Sequence, residues 1–403
     1  MKSLILTLSF MLLAFGGNAQ DSSDCKIYPV QFSFIPPLST NGSMNVSSVN
    51  QISFNLIAGY AGGLEGFELG GFANILKGGM TGTQIAGFSN VVGGSTQGIQ
   101  IAGFANVNQK RTEGVQIAGF SNVVSDSTMA LQLAGFSNMV TGTAEGGQLA
   151  GFLNLNRKNF TGFQAAGFAN ISGSKTTGSQ LAGYYNMSVD TCTGAQISGF
   201  MNLAPKYMKG AQVSGFMNVA GTLAGSQIGF INIADSLESG TPFGFLSFIR
   251  KGGMLALELG GDETFYGNLS LKTGSQAFYN IISVSARTGP DFYWGLGYGV
   301  GSMLKPYGKL RISLDLTASQ INRSDIWSNY LNLLSRAKLG FSWQATEHFA
   351  IMAGPSFNVL TVSKFNQENL LDLKNVSPYN IYDKQYQQTR VTMWPGAHLS
   401  VRF

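Results

Sequence analysis

Of 403 residues, 44% are hydrophobic and only 11% are charged, against about 25% charged in ordinary soluble domains. The formal net charge of +5 is spread along the chain without a basic run, so nucleic acid is not an expected partner. Fifty-three glycines and 12% aromatic residues speak for β-structure with many tight turns rather than for helices.

In chain order, Lys2, the apolar run Leu4 to Phe15 and the small residues Gly17 and Ala19 read as a secretory signal peptide over 1–19, with a mature start at Gln20. That run is too short to cross a bilayer, and no later segment is long and apolar enough for a membrane-crossing helix. Cys25 lacks the residues that precede a lipidated cysteine, and no spacing rule pairs it with Cys192, so a disulfide and two separate thiols both stay open. Residues 20–66 hold two alternating segments, Val30 to Phe34 and Ile52 to Leu56, divided by Pro36-Pro37 and a polar loop. Alternation predicts half-buried strands, here expected to join a C-terminal barrel.

Residues 67–249 are a repeat. From Phe72 to Phe216 a Gly-aromatic pair returns every 16 residues inside the frame Gly-x-Gln-Ile-Ala-Gly-Phe-x-Asn-Val, as in Gly98 to Val107, followed by about six free, polar residues. A hairpin in 16 residues would leave roughly six residues per strand, short of the roughly 9–11 that a membrane strand needs. A coil of a β-solenoid instead stacks each position about 4.8 Å over its copy, and a strict period then has a cause: an insertion would throw every later side chain out of register. The repeat residues are Gln100, Gly103, Phe104 and Asn106, with their copies Gln116, Gly119, Phe120 and Asn122. Gln and Asn are expected to form coil-to-coil amide ladders. An outward ladder would alternatively offer a platform for a surface polysaccharide. Phe is expected in the core, and Gly103 at a corner or making room for the ring. A bend near Gly103 would bring Ile101, Phe104 and Val107 to one face. Phe230 and Phe245 follow at 14 and 15 residues, as terminal capping units do.

Residues 250–403 hold eight alternating segments: Met254 to Gly260, Phe265 to Thr273, Phe278 to Arg287, Phe292 to Gly301, Lys309 to Ala318, Ala337 to Gln344, Phe349 to Val359 and the C-terminal segment. In the fifth, Leu310, Ile312, Leu314, Leu316 and Ala318 share one face, at a length that crosses a bilayer when tilted. In the last, Val391, Met393, Ala397, Leu399, Val401 and Phe403 share a face, and Phe403 resembles the terminal assembly signal of outer-membrane barrels. A strand closing a soluble sandwich is the competing reading, disfavoured by the signal segment and the scarcity of charge.

The repeat frame, the Phe34-Ile35-Pro36-Pro37-Leu38 opening and Tyr293 to Gly299 together resemble a family of bacterial surface repeat-containing outer-membrane proteins. The resemblance implies a Gram-negative envelope location, partly surface exposed, and no site residue. Catalysis has little material. His348 sits in a turn, His398 on the polar face of the last strand, and the cysteines lack metal-ligand spacing. Asp262 and Glu263 are expected as solvated turn carboxylates. No catalytic, cofactor-binding or metal-binding residue is assigned.

The expected fold is all-β: a β-solenoid of 16-residue coils inserted in an antiparallel outer-membrane β-barrel of about eight to ten strands. The alternative makes the repeats antiparallel strands of one larger barrel. The expected function is non-enzymatic surface display of a rigid rod, structural or adhesive, without a cofactor. Expected partners are outer-membrane lipid, the barrel-assembly machinery, and a surface polysaccharide or host or cell-surface ligand. The alternative function is a channel or small-solute transporter plugged by the repeats.

Overall fold

The computed structural model describes residues 26–289, 292–323, 327, 331–346, 349–363, 376–377 and 379–403. The expected signal peptide, Cys25 and His348 lie outside the described residues. By contacts the chain divides into two units, 1–142 and 143–403.

The first unit consists of parallel β-coils. Lys26–Ile35 pairs in parallel with Ser48–Asn55, which pairs in parallel with Gly63–Gly70. Residues 26–66 are therefore the opening coils of the solenoid, and the expectation that they join the barrel is corrected. Period-two alternation marks a half-buried strand of either kind. Farther along, each coil contributes a seven-residue strand and a four-residue strand, such as Thr96–Ala102 and Ala105–Asn108. Each residue pairs with its copy 16 residues on: Gln100 with Gln116, Asn106 with Asn122. Because these neighbours run parallel, the repeats are a solenoid and not antiparallel strands of a larger barrel.

Two glycine rows shape the coil. Gly98 has φ +132°, and a Cβ there would lie 1.9 Å from the carbonyl oxygen of Gly82. Its row is the left-handed corner that divides the longer strand, a role that only glycine fills without strain. Gly103 serves close approach instead, since a Cβ would meet the Gly87 oxygen at 2.0 Å.

The second unit continues the same coil pattern from Ala144–Ala150 to Leu246–Lys251. It ends in eight barrel strands, β1 (Met254–Asp262), β2 (Gly267–Gly274), β3 (Tyr279–Arg287), β4 (Tyr293–Tyr307), β5 (Leu310–Arg323), β6 (Asn332–Gln344), β7 (Ala350–Ser363) and β8 (Thr389–Arg402), and a short strand Tyr382–Gln385 that pairs with β8. Each pairs antiparallel with the next, and β8 returns to β1 through Glu258↔Arg402, closing the barrel. The register starting at Glu258 travels round the barrel to Thr392, against Arg402 by the direct pairing; 402 − 392 gives a stagger of ten residues. Such a stagger tilts the strands, typically by about 35–45°. All eight barrel strands follow the last coil in sequence, so the solenoid precedes the barrel instead of interrupting it.

Alternation sorts the barrel's side chains as expected. Leu257, Leu271, Ile282, Leu296, Leu316 and Leu399 point outward and are exposed. The interior is ionic: Lys272 Nζ lies 2.7 Å from Glu258 and 2.6 Å from Asp315, and Arg402 lies 3.2 Å from Glu258. Asp262 is buried against Arg336 at 2.6 Å and Lys338 at 3.3 Å. Glu263 accepts hydrogen bonds from Trp394 Nε1 at 3.0 Å and Asn358 Nδ2 at 2.8 Å. The expectation of solvated carboxylates at 262 and 263 is thus corrected: partners 74 to 131 residues away in the sequence draw both into the lumen.

Candidate functional site: an apolar edge on a polar-cored coil

Within a coil the longer strand places Thr96, Gln100 and Ala102 inside and Ile99 and Ile101 outside, and the shorter one places Asn106 and Asn108 inside and Val107 outside. Gln100, Gln116, Asn106 and Asn122 are completely buried. A buried amide is tolerable only when its hydrogen bonds are made, and the ladders make them. Each Gln donates backward: Gln84 Nε2 to Glu68 Oε2 at 2.8 Å, Gln100 to Gln84 at 2.9 Å, Gln116 to Gln100 at 2.9 Å. Each Asn donates forward, Asn90 to Asn106 at 2.9 Å and Asn106 to Asn122 at 2.9 Å, and also across the coil to a backbone carbonyl such as Ile117 O at 2.9 Å. The two ladders run in opposite senses, so their side-chain dipoles oppose.

At the N-terminal end a carboxylate receives the Gln ladder. Glu68 takes Gln84 on one oxygen and Asn55 Nδ2 at 2.9 Å on the other, while Asn55 also donates to Asn74 at 2.8 Å and so joins the two ladders. Burial raises the Glu68 pKa above its ordinary 4.5, and the hydrogen bonds from Gln84 and Asn55 oppose the rise. In the second unit the ladders survive the shortened spacing, with Asn218 reaching Asn232 at 3.0 Å and Gln227 reaching Gln212 at 2.8 Å. The strain of the lost residues shows in the rings, where Phe216 and Phe230 stand 6.2 Å apart. Cys192 occupies a position that Thr fills in other coils; burial pushes its thiol up to about 12.

The aromatic row is on the outside. Phe104 is 41% exposed and stacks on Phe88 and Phe120 with centroids 4.8 Å apart and planes parallel. The expectation of a phenylalanine core is therefore corrected. The interior is taken by amides and small residues, and the tight turn at Gly103–Phe104 directs the ring outward. Ile101, Phe104 and Val107 do share a surface, but it is the outer one. In the second unit Phe168, Tyr184, Phe200 and Phe216 repeat the stack at 4.8 to 5.0 Å. The ring row, with the Ile and Val rows beside it, makes an apolar edge larger than isolated surface hydrophobes would.

Charge is sorted to the other side of the coil. From Phe72 to Lys251 every Asp, Glu, Lys and Arg, including Lys110, Arg111, Glu113, Lys175 and Lys206, falls five to nine residues after an aromatic of the row. In the regular coils those positions are the loop and the first residues of the next long strand, and in the later coils they fall within continuous strands, as Lys206 does in Met201–Ser214. This segregation is legible in the sequence once aligned by the period.

Two barrel residues, Asn280 and Tyr298, hold the last coil. Asn280 points outward from β3, where Ile282 and Val284 are its apolar companions. Its Oδ1 accepts from Ser247 N at 3.0 Å and its Nδ2 donates to Gly244 O at 2.7 Å. Tyr298, outward on β4, donates to Phe245 O at 2.9 Å and stacks on the Phe245 ring at 4.5 Å. Sequence reasoning passed over both, although an Asn interrupting an apolar outward face was a visible signal.

In comparisons with known protein families, curated proteins and solved structures, nothing matches this chain.

Proposed function

We propose that this is a non-enzymatic outer-membrane protein of a Gram-negative envelope, in which the barrel is the anchor and the coils are a rigid scaffold with a structural or adhesive role. One observation carries the reading: a closed eight-stranded barrel with apolar rows outward and ion pairs inward, the sorting that a lipid surround stabilises and water does not. Its partners would be outer-membrane lipid and the barrel-assembly machinery. The charged loop edge of the coils is the surface on which an envelope polysaccharide would act.

The chain enters β1 at the rim formed by the short β2–β3, β4–β5 and β6–β7 connections, and the last coil docks beside it. In outer-membrane barrels short turns face the periplasm. That placement supports coils of the second unit held on the periplasmic side, over the outward display expected from the sequence. The channel reading has less support, because ion pairs occupy the lumen and the last coil meets the outer wall.

Heat-modifiable mobility on gels tests the anchor; a protein that fractionates as soluble and shows no such shift refutes it. Protease added to intact cells should spare the second unit's coils until the outer membrane is permeabilised. Coils cleaved in intact cells would restore outward display.

A further inference from the structure

We propose that the coils of the second unit lie side-on along the membrane, with the aromatic edge sunk among acyl chains and the charged edge in water. The partner of this edge is therefore a lipid surface. The inference rests on the barrel being embedded in a bilayer.

The direction of the coil stack follows from its last hydrogen bonds. Ser247 N, Gly244 O and Phe245 O belong to the edge from which a further coil would continue, and they are met by Asn280 and Tyr298 on the barrel's outer wall. The stacking axis thus runs into the wall, and the coils extend sideways from the barrel, along the plane of the bilayer that it spans.

Rotation about that axis is set by two contacts. Tyr298, under the Phe245 ring, pairs with Ile282, whereas Asn280 pairs with Val300. Tyr298 leans toward the anchor, its hydroxyl accepting from Asn280 Nδ2 at 2.8 Å, so the aromatic edge lies on the Ile282 side of the Asn280 anchor, deeper along the barrel. On the other edge Arg250 and Lys251 lead through Gly252 and Gly253 into Met254 at the rim. The apolar edge faces the belt and the charged edge faces the rim.

The chemistry agrees with that pose. Phe168, Tyr184, Phe200, Phe216, Phe230 and Phe245 are each between 36% and 48% exposed, and their row carries no charge. The row meets the barrel's outward apolar face at Tyr298, so one lipid layer would cover both. An amphipathic element of this kind lies in the interface with its apolar side roughly 5–10 Å into the headgroup and acyl boundary.

The test uses the full chain with Cys25→Ser and Cys192→Thr. Single cysteines at Phe168→Cys, Lys175→Cys and Leu316→Cys carry an NBD probe in phosphatidylcholine and phosphatidylglycerol vesicles with brominated acyl chains. Leu181→Cys, on the same apolar side and 45% exposed, replaces Phe168→Cys should that variant fail to insert. The expected result is equal loss of fluorescence at 168 and 316, with none at 175. Quenching at 316 but water-like emission at 168 overturns the inference and leaves the anchor standing. A probe at 168 shielded from water yet unquenched means that a second copy or another protein covers the edge, which also overturns it. No quenching at 316 refutes the embedded barrel, and the inference with it.

Discussion

Gln180→Leu removes one rung of the Gln ladder in the middle of the second unit's coils. Gln180 donates to Gln164 Oε1 at 2.9 Å and accepts from Gln196 Nε2 at 2.9 Å. The leucine leaves the Gln164 oxygen and the Gln196 amide as orphans in a dry interior. Gln196 Nε2 also lies 3.5 Å from Leu203 O, too long to compensate. At about 1–3 kcal/mol for each buried unsatisfied group, the loss is about 2–6 kcal/mol. Read by native-state hydrogen exchange of the 160–200 amides in the detergent-folded protein, that corresponds to roughly 30-fold to 10⁴-fold faster opening.

The triple variant Gln164→Leu, Gln180→Leu, Gln196→Leu makes the argument sharper. It also ends in only two interrupted rungs, Gln148 and Gln212. Gln148 Oε1 still accepts from Asn156 at 2.9 Å, and Gln212 Nε2 has Val219 O at 3.3 Å. The triple should therefore cost no more than the single. A loss that grows roughly threefold would refute the reasoning, because it would mean that each rung contributes by itself and not through the orphans its removal creates.

Four further outcomes are expected. Gly98→Ala should destabilise its coils by about 2 kcal/mol or more, through the left-handed backbone and the clash with Gly82, whereas Gly308→Ala, at φ +54° with open space around it, should cost only about 1–2 kcal/mol; equal losses in chemical unfolding would contradict the corner assignment. Because the folded-state pKa of Glu68 is raised, its contribution is complete below 4.5 and is lost as pH rises through the folded value, so Glu68→Gln should gain stability over the wild type at pH 8 and show little difference at pH 4; the reverse trend in exchange of the 64–90 amides would sink it. Cys192, in a Cys25→Ser background, should resist maleimide at pH 8 until the protein is unfolded, and rapid labelling of the native state would show that the site is open. Lys272→Met strands Glu258 and Asp315 in the barrel and should cost about 3–5 kcal/mol, read as a lower temperature for the gel-mobility shift; an unchanged shift would mean that the lumen is hydrated.

Parallel stacking was legible because a 16-residue period tolerates no slip, and the eight barrel strands because alternation over bilayer-length segments leaves few other folds. The inside and outside of the coil were not. Gln100 and Ile101, or Asn106 and Val107, are neighbours on opposite faces, so alternation separates them without saying which face is dry. Hydrophobicity alone points the wrong way, and only the ladder's closed hydrogen bonds show that the amides are inside. The opening strands were assigned to the wrong sheet for a similar reason: Lys26 pairs with Ser48, a spacing of 22 that hides the coil period. Asp262 was misread because Arg336 and Lys338 come into range only after the barrel closes. The docking residues Asn280 and Tyr298 depend on the last coil, whose shortened repeat gives no hint of its neighbour.

The central claim is that the coil is inverted, with amides inside, rings in lipid and charge in water. A nitroxide scan through the sixteen residues Phe160 to Lys175 in phospholipid vesicles tests it most directly. Collision with oxygen should peak at Phe168, collision with a water-soluble nickel complex should peak at Lys175, and labels at Gln164 and Asn170 should meet neither reagent, provided the labelled coil folds. Equal access of the nickel complex to positions 168 and 175 would contradict the account.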